Sequence, residues 1–169
     1  MFRTVAFLIR FNAIVFAQEE YPTHPDMLVK DGVPRGEVIK GVFDQSEVFP
    51  GTARDYGVYV PAQYTETEPT ALIVFQDGMR YLQVVPTMFD NLIHSGDMPV
   101  TVALFVNPGV VPAAHEDAQP RFNRSFEFDA VDGRYASFLL DELMPVALDG
   151  LNISKDPNFR GSVGSSTGG

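Results

Sequence analysis

Two stretches of the chain are apolar without alternation. Ala71-Leu72-Ile73-Val74-Phe75 runs into Gln76-Asp77-Gly78, and the stretch from Val100 to Val106 runs into Asn107-Pro108-Gly109. A strand covered by helices on both faces reads this way, because neither of its sides meets water. Upstream, residues 53–61 alternate, with Tyr56, Val58 and Val60 on one face, which predicts a strand. Residues 36–49 read as extended, with Val38 and Val42 flanking Gly41 and a bend at Gln45-Ser46-Glu47 before a second short run. Pro50-Gly51 is a turn, and the Thr/Glu-rich span from Pro61 to Pro69 is an exposed connection.

Helical spacing appears twice. After Pro86, suited to a first helical turn, Phe89, Leu92 and Ile93 recur at i, i+3 and i+4, and Ser95-Gly96 supplies the stop. His94 falls in that last turn, where a cation is favourable to the helix dipole. The second helix spans 134–150, with Tyr135, Phe138, Leu139 and Leu143 as its stripe, a kink expected at Pro145 and an end at Gly150. Between them, 110–131 has no period; it holds His115, Arg121, Arg124 and several acids, and a loop of that length is often functional. Residues 158–166 fit a short strand entering a terminal turn.

Strand, strand, strand–helix, strand–helix, strand is an α/β order. It predicts a mostly parallel sheet with flanking helices, opened by two antiparallel N-terminal strands. Ligands in such sheets bind beyond the carboxyl ends of the strands. The breaks at Gln76-Asp77-Gly78, Asn107-Pro108-Gly109 and Ser165-Ser166 all fall there.

Composition narrows the partners. The 169 residues suffice for one domain, and 45% hydrophobic with 20% charged residues is globular composition. A net charge of −10 argues against a nucleic-acid partner. With no cysteine, disulfides, thiolate metal sites and a thiol nucleophile are excluded. Residues 1–17 read as a signal peptide: Arg3 is the basic start and Val15-Phe16-Ala17 fits cleavage before Gln18, although Arg10 interrupts the apolar stretch. That predicts a secreted or periplasmic protein, otherwise a cytoplasmic one, with 18–35 as a surface lead-in and 36–169 as the domain. No other stretch approaches the roughly 20 apolar residues of a membrane span.

The candidate chemistry lies at the end. Gly164-Ser165-Ser166-Thr167-Gly168 matches G-x-S-x-G, a sharp strand-to-helix turn that lifts a serine hydroxyl above the sheet. The chain folds back so tightly that the positions two before and two after the serine must lack side chains. Gly164 and Gly168 satisfy this for Ser166, whereas Ser165 would face Val163 and Thr167. The N–H of Thr167 is one oxyanion donor. The second is expected from the loop after the third strand, from Gly78 or Met79. Alone, such a pentapeptide reads better as a flexible Gly/Ser tail; its place after a strand and two strand–helix units reverses that and favours the turn.

Several blocks in order, among them 74–82 (VFQDGMRYL), 86–99, 121–145 and 156–169, resemble the esterase group of α/β-hydrolases that includes enterochelin esterase. The resemblance covers most of 32–169. It implies hydrolysis of small-molecule carboxylic esters through an acyl-serine on Ser166, with no metal or organic cofactor. It also implies an oxyanion loop at Gly78 and Met79, and a stretch beside the active-site mouth over 121–132. In that fold the acid and then the histidine follow the serine, but here only Thr167, Gly168 and Gly169 do, so the chain is expected to be a fragment. His24, His94 and His115 all precede the serine. The rival expectation is a non-catalytic binding module on the same scaffold.

Other clusters read as structural. Glu127, Asp129 and Asp132 lack the glycine and the final glutamate of a calcium loop and suit a solvated loop with helix-start carboxylates. Arg121 and Arg124 could clamp an acidic substrate or pair with Glu127 or Asp129. Phe43, Tyr56 and Tyr59 read as sheet residues, not as a base-stacking platform.

Overall fold

A computed structural model describes residues 22–169. The signal-peptide expectation for 1–17 lies outside the described residues. Among those described, no helix is long and apolar enough to cross a membrane.

The core is a five-stranded mixed sheet. Its strands are β1 (Glu37–Phe43), β2 (Arg54–Val60), β3 (Ala71–Gln76), β4 (Thr101–Val106) and, after a short hairpin, β7 (Arg160–Val163), in the order β1-β2-β4-β3-β7. β1 and β2 are antiparallel, β2 meets β4 antiparallel, and β4, β3 and β7 run parallel. The apolar runs became two adjacent interior strands, β3 and β4, whose faces are both covered. All six residues of β4 are buried.

Alternate side chains feed two cores. On one face Val58, Leu72, Val74, Leu104 and Val106 pack with Phe138 and Leu143. On the other, Tyr59, Phe75, Ala103 and Phe105 pack with Val85, Phe89 and Ile93 of α1 (Val85–Ser95). Gly96 ends α1 in the left-handed conformation, φ 79°, as its position predicts. The lead-in is held against α1, since Asn91 donates to the carbonyls of Asp26 and Leu28.

Three sequence expectations change. The aperiodic 110–131 stretch is partly regular: β5 (Val110–Val111) and β6 (Arg121–Phe122) form a hairpin, followed by α2 (Arg124–Phe128). Too short for periodicity, this segment is tied to the sheet from outside by Arg54 of β2, which pairs with its buried Glu127. No second strand follows Gln45-Ser46-Glu47. That segment curls into a turn because the Glu142 carboxylate accepts Ser46 Oγ–H at 2.6 Å and the N–H groups of Glu47 and Val48 at 2.9 Å each. The later helix begins as α3 (Arg134–Ser137), widens into a π-helix over Phe138–Leu143, and resumes as α4 (Met144–Ala147), which carries Pro145 in its first turn. Pro145 has no N–H to donate, and its ring crowds the carbonyl four residues earlier; wider turns relieve both.

Candidate active site

β3, β4 and β7 are parallel, so the polar breaks after Gln76, Val106 and Val163 share one edge of the sheet. Ser166 stands there, exposed, at φ 59°. The left-handed region is unfavourable for a residue with a Cβ and persists only where the surroundings enforce it. Ser165, by contrast, is extended, with φ −137° and ψ 136°. Of the two adjacent serines, Ser166 is the one held in the strained turn.

The turn enforces that strain through contact. A Cβ on Gly164 would sit 1.7 Å from the carbonyl oxygen of Gly168, so no other residue fits. At Gly168 the demand is milder, the nearest atom being Asp77 Oδ2 at 3.1 Å. The short 3-10 turn Ser166–Gly168 closes the chain, with Gly168 N–H donating to the Ser165 carbonyl at 3.2 Å.

The loop after β3 faces this turn. Asp77 is left-handed too, at φ 52°. Gly78 is buried against β4; a Cβ there would lie 2.5 Å from the backbone nitrogen of Val106. Met79 N–H donates to Asn107 Oδ1 at 3.2 Å, which ties the loop to the break after β4.

Arg124 joins the two loops. Its Nε lies 2.9 and 3.0 Å from the Asp77 carboxylate oxygens and Nη2 lies 2.7 Å from Oδ2. Nη1 donates to Thr167 Oγ1 at 2.8 Å. Neither Glu127 nor Asp129 is its hydrogen-bond partner, a correction to the sequence expectation. The hydrogen bonds to Asp77, foremost, and then its negative charge hold the Arg124 guanidinium above its ordinary pKa, against partial desolvation. Glu127 turns inward instead and pairs with Arg54. Asp132, two residues before α3 begins, accepts Arg134 N–H at 3.0 Å, whereas Glu127 is buried rather than solvated, a correction to the expectation for it. Arg121 is exposed on β6.

Beside the turn is a cleft of about 200 Å³ lined by Gln76, Phe128, Tyr135, Ser162, Thr167 and Gly168, among others. Phe128 and Tyr135 meet edge to face at 5.0 Å, and Tyr135 O–H donates to Gln76 Oε1. Burial foremost keeps the Tyr135 phenol neutral well above its usual range.

The histidines are elsewhere. His24 caps the Pro25–Met27 turn, His94 is exposed at the end of α1 that leads into the start of β4, and His115 is exposed in the β5–β6 connection. Among the described residues no hydrogen bond joins a histidine to Ser166, and no group of three or more His, Asp or Glu could hold a metal. Sequence reasoning named Arg124 without its partner, placed Gln76 and Asp77 only as a strand-end break, and missed Tyr135, which lines the cleft beside the terminal turn. The Asp-Gly break was visible, but its ion pair spans 47 positions.

A five-stranded mixed sheet with a strained serine at the carboxyl end of a parallel strand defines the α/β-hydrolase class. More narrowly, the chain belongs to the Esterase family, described as "Putative esterase", whose model matches residues 46–169. Among solved structures it is similar to a ferulic acid esterase from Anaeromyces mucronatus, at 18% identity over 85% of this chain and 54% of that one, with TM-score 0.62. It is also similar to the enterobactin esterase of Shigella flexneri, at 18% identity over 87% of this chain and 34% of that one, with TM-score 0.60. A feruloyl esterase module from Clostridium thermocellum shows 13% identity over 89% of this chain and 52% of that one, with TM-score 0.56. The chain thus spans about half, or less, of the length of these structures. No curated protein sequence matches it.

Proposed function

We propose that the chain carries the nucleophile and oxyanion elements of a serine carboxylic-ester hydrolase. The observation that supports this most is the left-handed Ser166, φ 59°, exposed at the end of β7 on a turn that tolerates no side chain at position 164. A serine hydroxyl becomes nucleophilic when a base removes its proton. That base is a histidine belonging to the length of the relatives that this chain does not span. Ser166 Oγ attacks the ester carbonyl as its proton passes to the histidine. The tetrahedral oxyanion is held by Thr167 N–H and by the N–H of Gly78, or by that of Met79 once it turns from Asn107 Oδ1. The C–O bond then breaks, the alcohol leaves with the histidine's proton, and water releases the acid from Ser166 by the same steps.

The cleft favours an aromatic acid. Phe128 and Tyr135 offer ring faces and edges beside the turn, and aromatic groups pack offset or edge to face. Neighbouring folds named for ferulic acid and enterobactin point the same way. The test is labelling with a fluorophosphonate in the full-length gene product, followed by hydrolysis of aromatic and aliphatic esters. Modification at Ser166, lost in Ser166→Ala, supports the reading; an unmodified serine in a folded protein overturns it.

The second reading is a binding module on the hydrolase scaffold, since a fold by itself does not fix a function. Ligand binding unchanged in Ser166→Ala, without turnover, is its signature. Export, suggested by residues 1–17, is tested by the N-terminus of the mature protein.

A further inference from the structure

Among the described residues only two non-glycine residues have positive φ, Asp77 at 52° and Ser166 at 59°. They lie on different loops, and one guanidinium spans the gap between those loops. Nε and Nη2 of Arg124 take the Asp77 carboxylate, and Nη1 takes Thr167 Oγ1, next to the serine. Nη2 also lies 3.5 Å from the Ser165 carbonyl oxygen. All three guanidinium nitrogens are thus engaged, and the two loops they join are the ones that supply oxyanion donors.

The anchor behind this clamp is rigid. Arg124 opens α2, and three residues on Glu127 is buried in an ion pair with Arg54 and accepts Gly109 N–H. The helix therefore cannot slide without exposing or unpairing a buried charge. Tyr135 grips the residue before Asp77 from the same side, through Gln76.

We propose that Arg124 is a positioning residue that sets the distance between the Thr167 N–H and the N–H groups of Gly78 and Met79. This rests on the esterase reading above. A planar fork can hold a carboxylate with one edge and a hydroxyl with its other nitrogen, whereas a lysine ammonium is a single point on a flexible stem. Misplacement of reacting groups by about 1 Å costs up to about a hundredfold in rate. Because the clamp touches the donors' loops and not the substrate, its loss falls on kcat.

The experiment compares wild type, Arg124→Lys, Thr167→Val and the control Lys155→Ala, at an exposed position away from the turn, in the full-length gene product, with a neutral ester and with an ester bearing a carboxylate. Expected are a 10- to 100-fold lower kcat in Arg124→Lys, KM within about twofold on both esters, a smaller fall in Thr167→Val, and no change in Lys155→Ala. Asp77→Asn combined with Arg124→Lys should be no worse than the poorer single variant. Wild-type kcat in Arg124→Lys overturns the proposal. So does a KM increase confined to the acidic ester, which makes Arg124 a substrate contact. If Arg124→Lys fails to fold, Thr167→Val, which removes one hydroxyl, decides by the same kcat criterion. A wild type that hydrolyses no ester and leaves Ser166 unlabelled overturns the esterase reading and this role together; an active wild type with unimpaired variants overturns this role alone.

Discussion

Arg54 and Glu127 are in direct contact, Nη1 to Oε2 at 2.8 Å, with neither side chain exposed. The pair joins β2 to α2 across 73 positions, and the Arg54 guanidinium lies 3.9 Å from the Phe138 ring centre. Two charges inside a core are costly apart and tolerated together. Here they bolt the segment carrying Arg124 to the sheet.

Removing one partner should therefore hurt more than removing both. Glu127→Gln or Arg54→Met is expected to lower unfolding free energy by about 3–5 kcal/mol, and Arg54→Met with Glu127→Leu by markedly less. Urea denaturation of the four proteins measures this; additive losses would refute it.

Strain at the serine should be recoverable. Ser166→Gly is expected to stabilise the fold by about 1 kcal/mol, because glycine accepts positive φ without a Cβ clash, while abolishing fluorophosphonate labelling. A thermal midpoint unchanged or lowered would show that the turn carries no strain.

Position 164 should be the least tolerant in the turn. Gly164→Ala places a Cβ 1.7 Å from the Gly168 carbonyl oxygen, whereas Gly168→Ala meets Asp77 Oδ2 at 3.1 Å. The first should lose Ser166 labelling altogether and the second only part of it. Equal labelling of both by mass spectrometry would contradict this geometry.

Glu142 holds the turn after β1 by accepting three hydrogen bonds. Glu142→Ala leaves two backbone N–H groups and Ser46 Oγ without that acceptor and is expected to cost about 1–3 kcal/mol. Hydrogen exchange at Glu47 and Val48 should quicken with it. Unchanged exchange would mean that the turn is held by something else.

Two tyrosines should resist alkaline titration. Tyr59 is held neutral first by burial, then by its hydrogen bond to Asp90 and by that charge; for Tyr135 burial again dominates. Both folded-state pKa values are raised above the unfolded phenol value. Their stabilising contribution is complete below the unfolded value and is lost as pH rises through the folded one. Ultraviolet titration should show the last phenols ionising together with unfolding, and Tyr59→Phe with Tyr135→Phe should remove that step.

Local pattern accounts for much of this molecule. Val58, Leu72, Val74, Phe89 and Ile93 were assignable to strands and to α1 because alternation, continuous burial and i, i+3, i+4 spacing are properties of neighbouring residues. Gly164 and Gly168 singled out Ser166 over Ser165 for the same reason, since the steric demand of a tight turn is read within five residues. By itself, the sequence determined the order of the five sheet strands and of α1, the edge of the sheet where the polar breaks gather, and which serine takes the left-handed turn there.

What tertiary structure alone decided is who answers whom. Arg124 took Asp77 and Thr167 rather than its neighbours Glu127 and Asp129, because Glu127 was already committed to Arg54 inside the core. The 110–131 stretch gained a hairpin and a helix beside that same buried contact, and a π-helix over Phe138–Leu143 precedes Pro145. Ion pairs and backbone clashes across tens of residues depend on distances that only a packed chain possesses, and no local period encodes them.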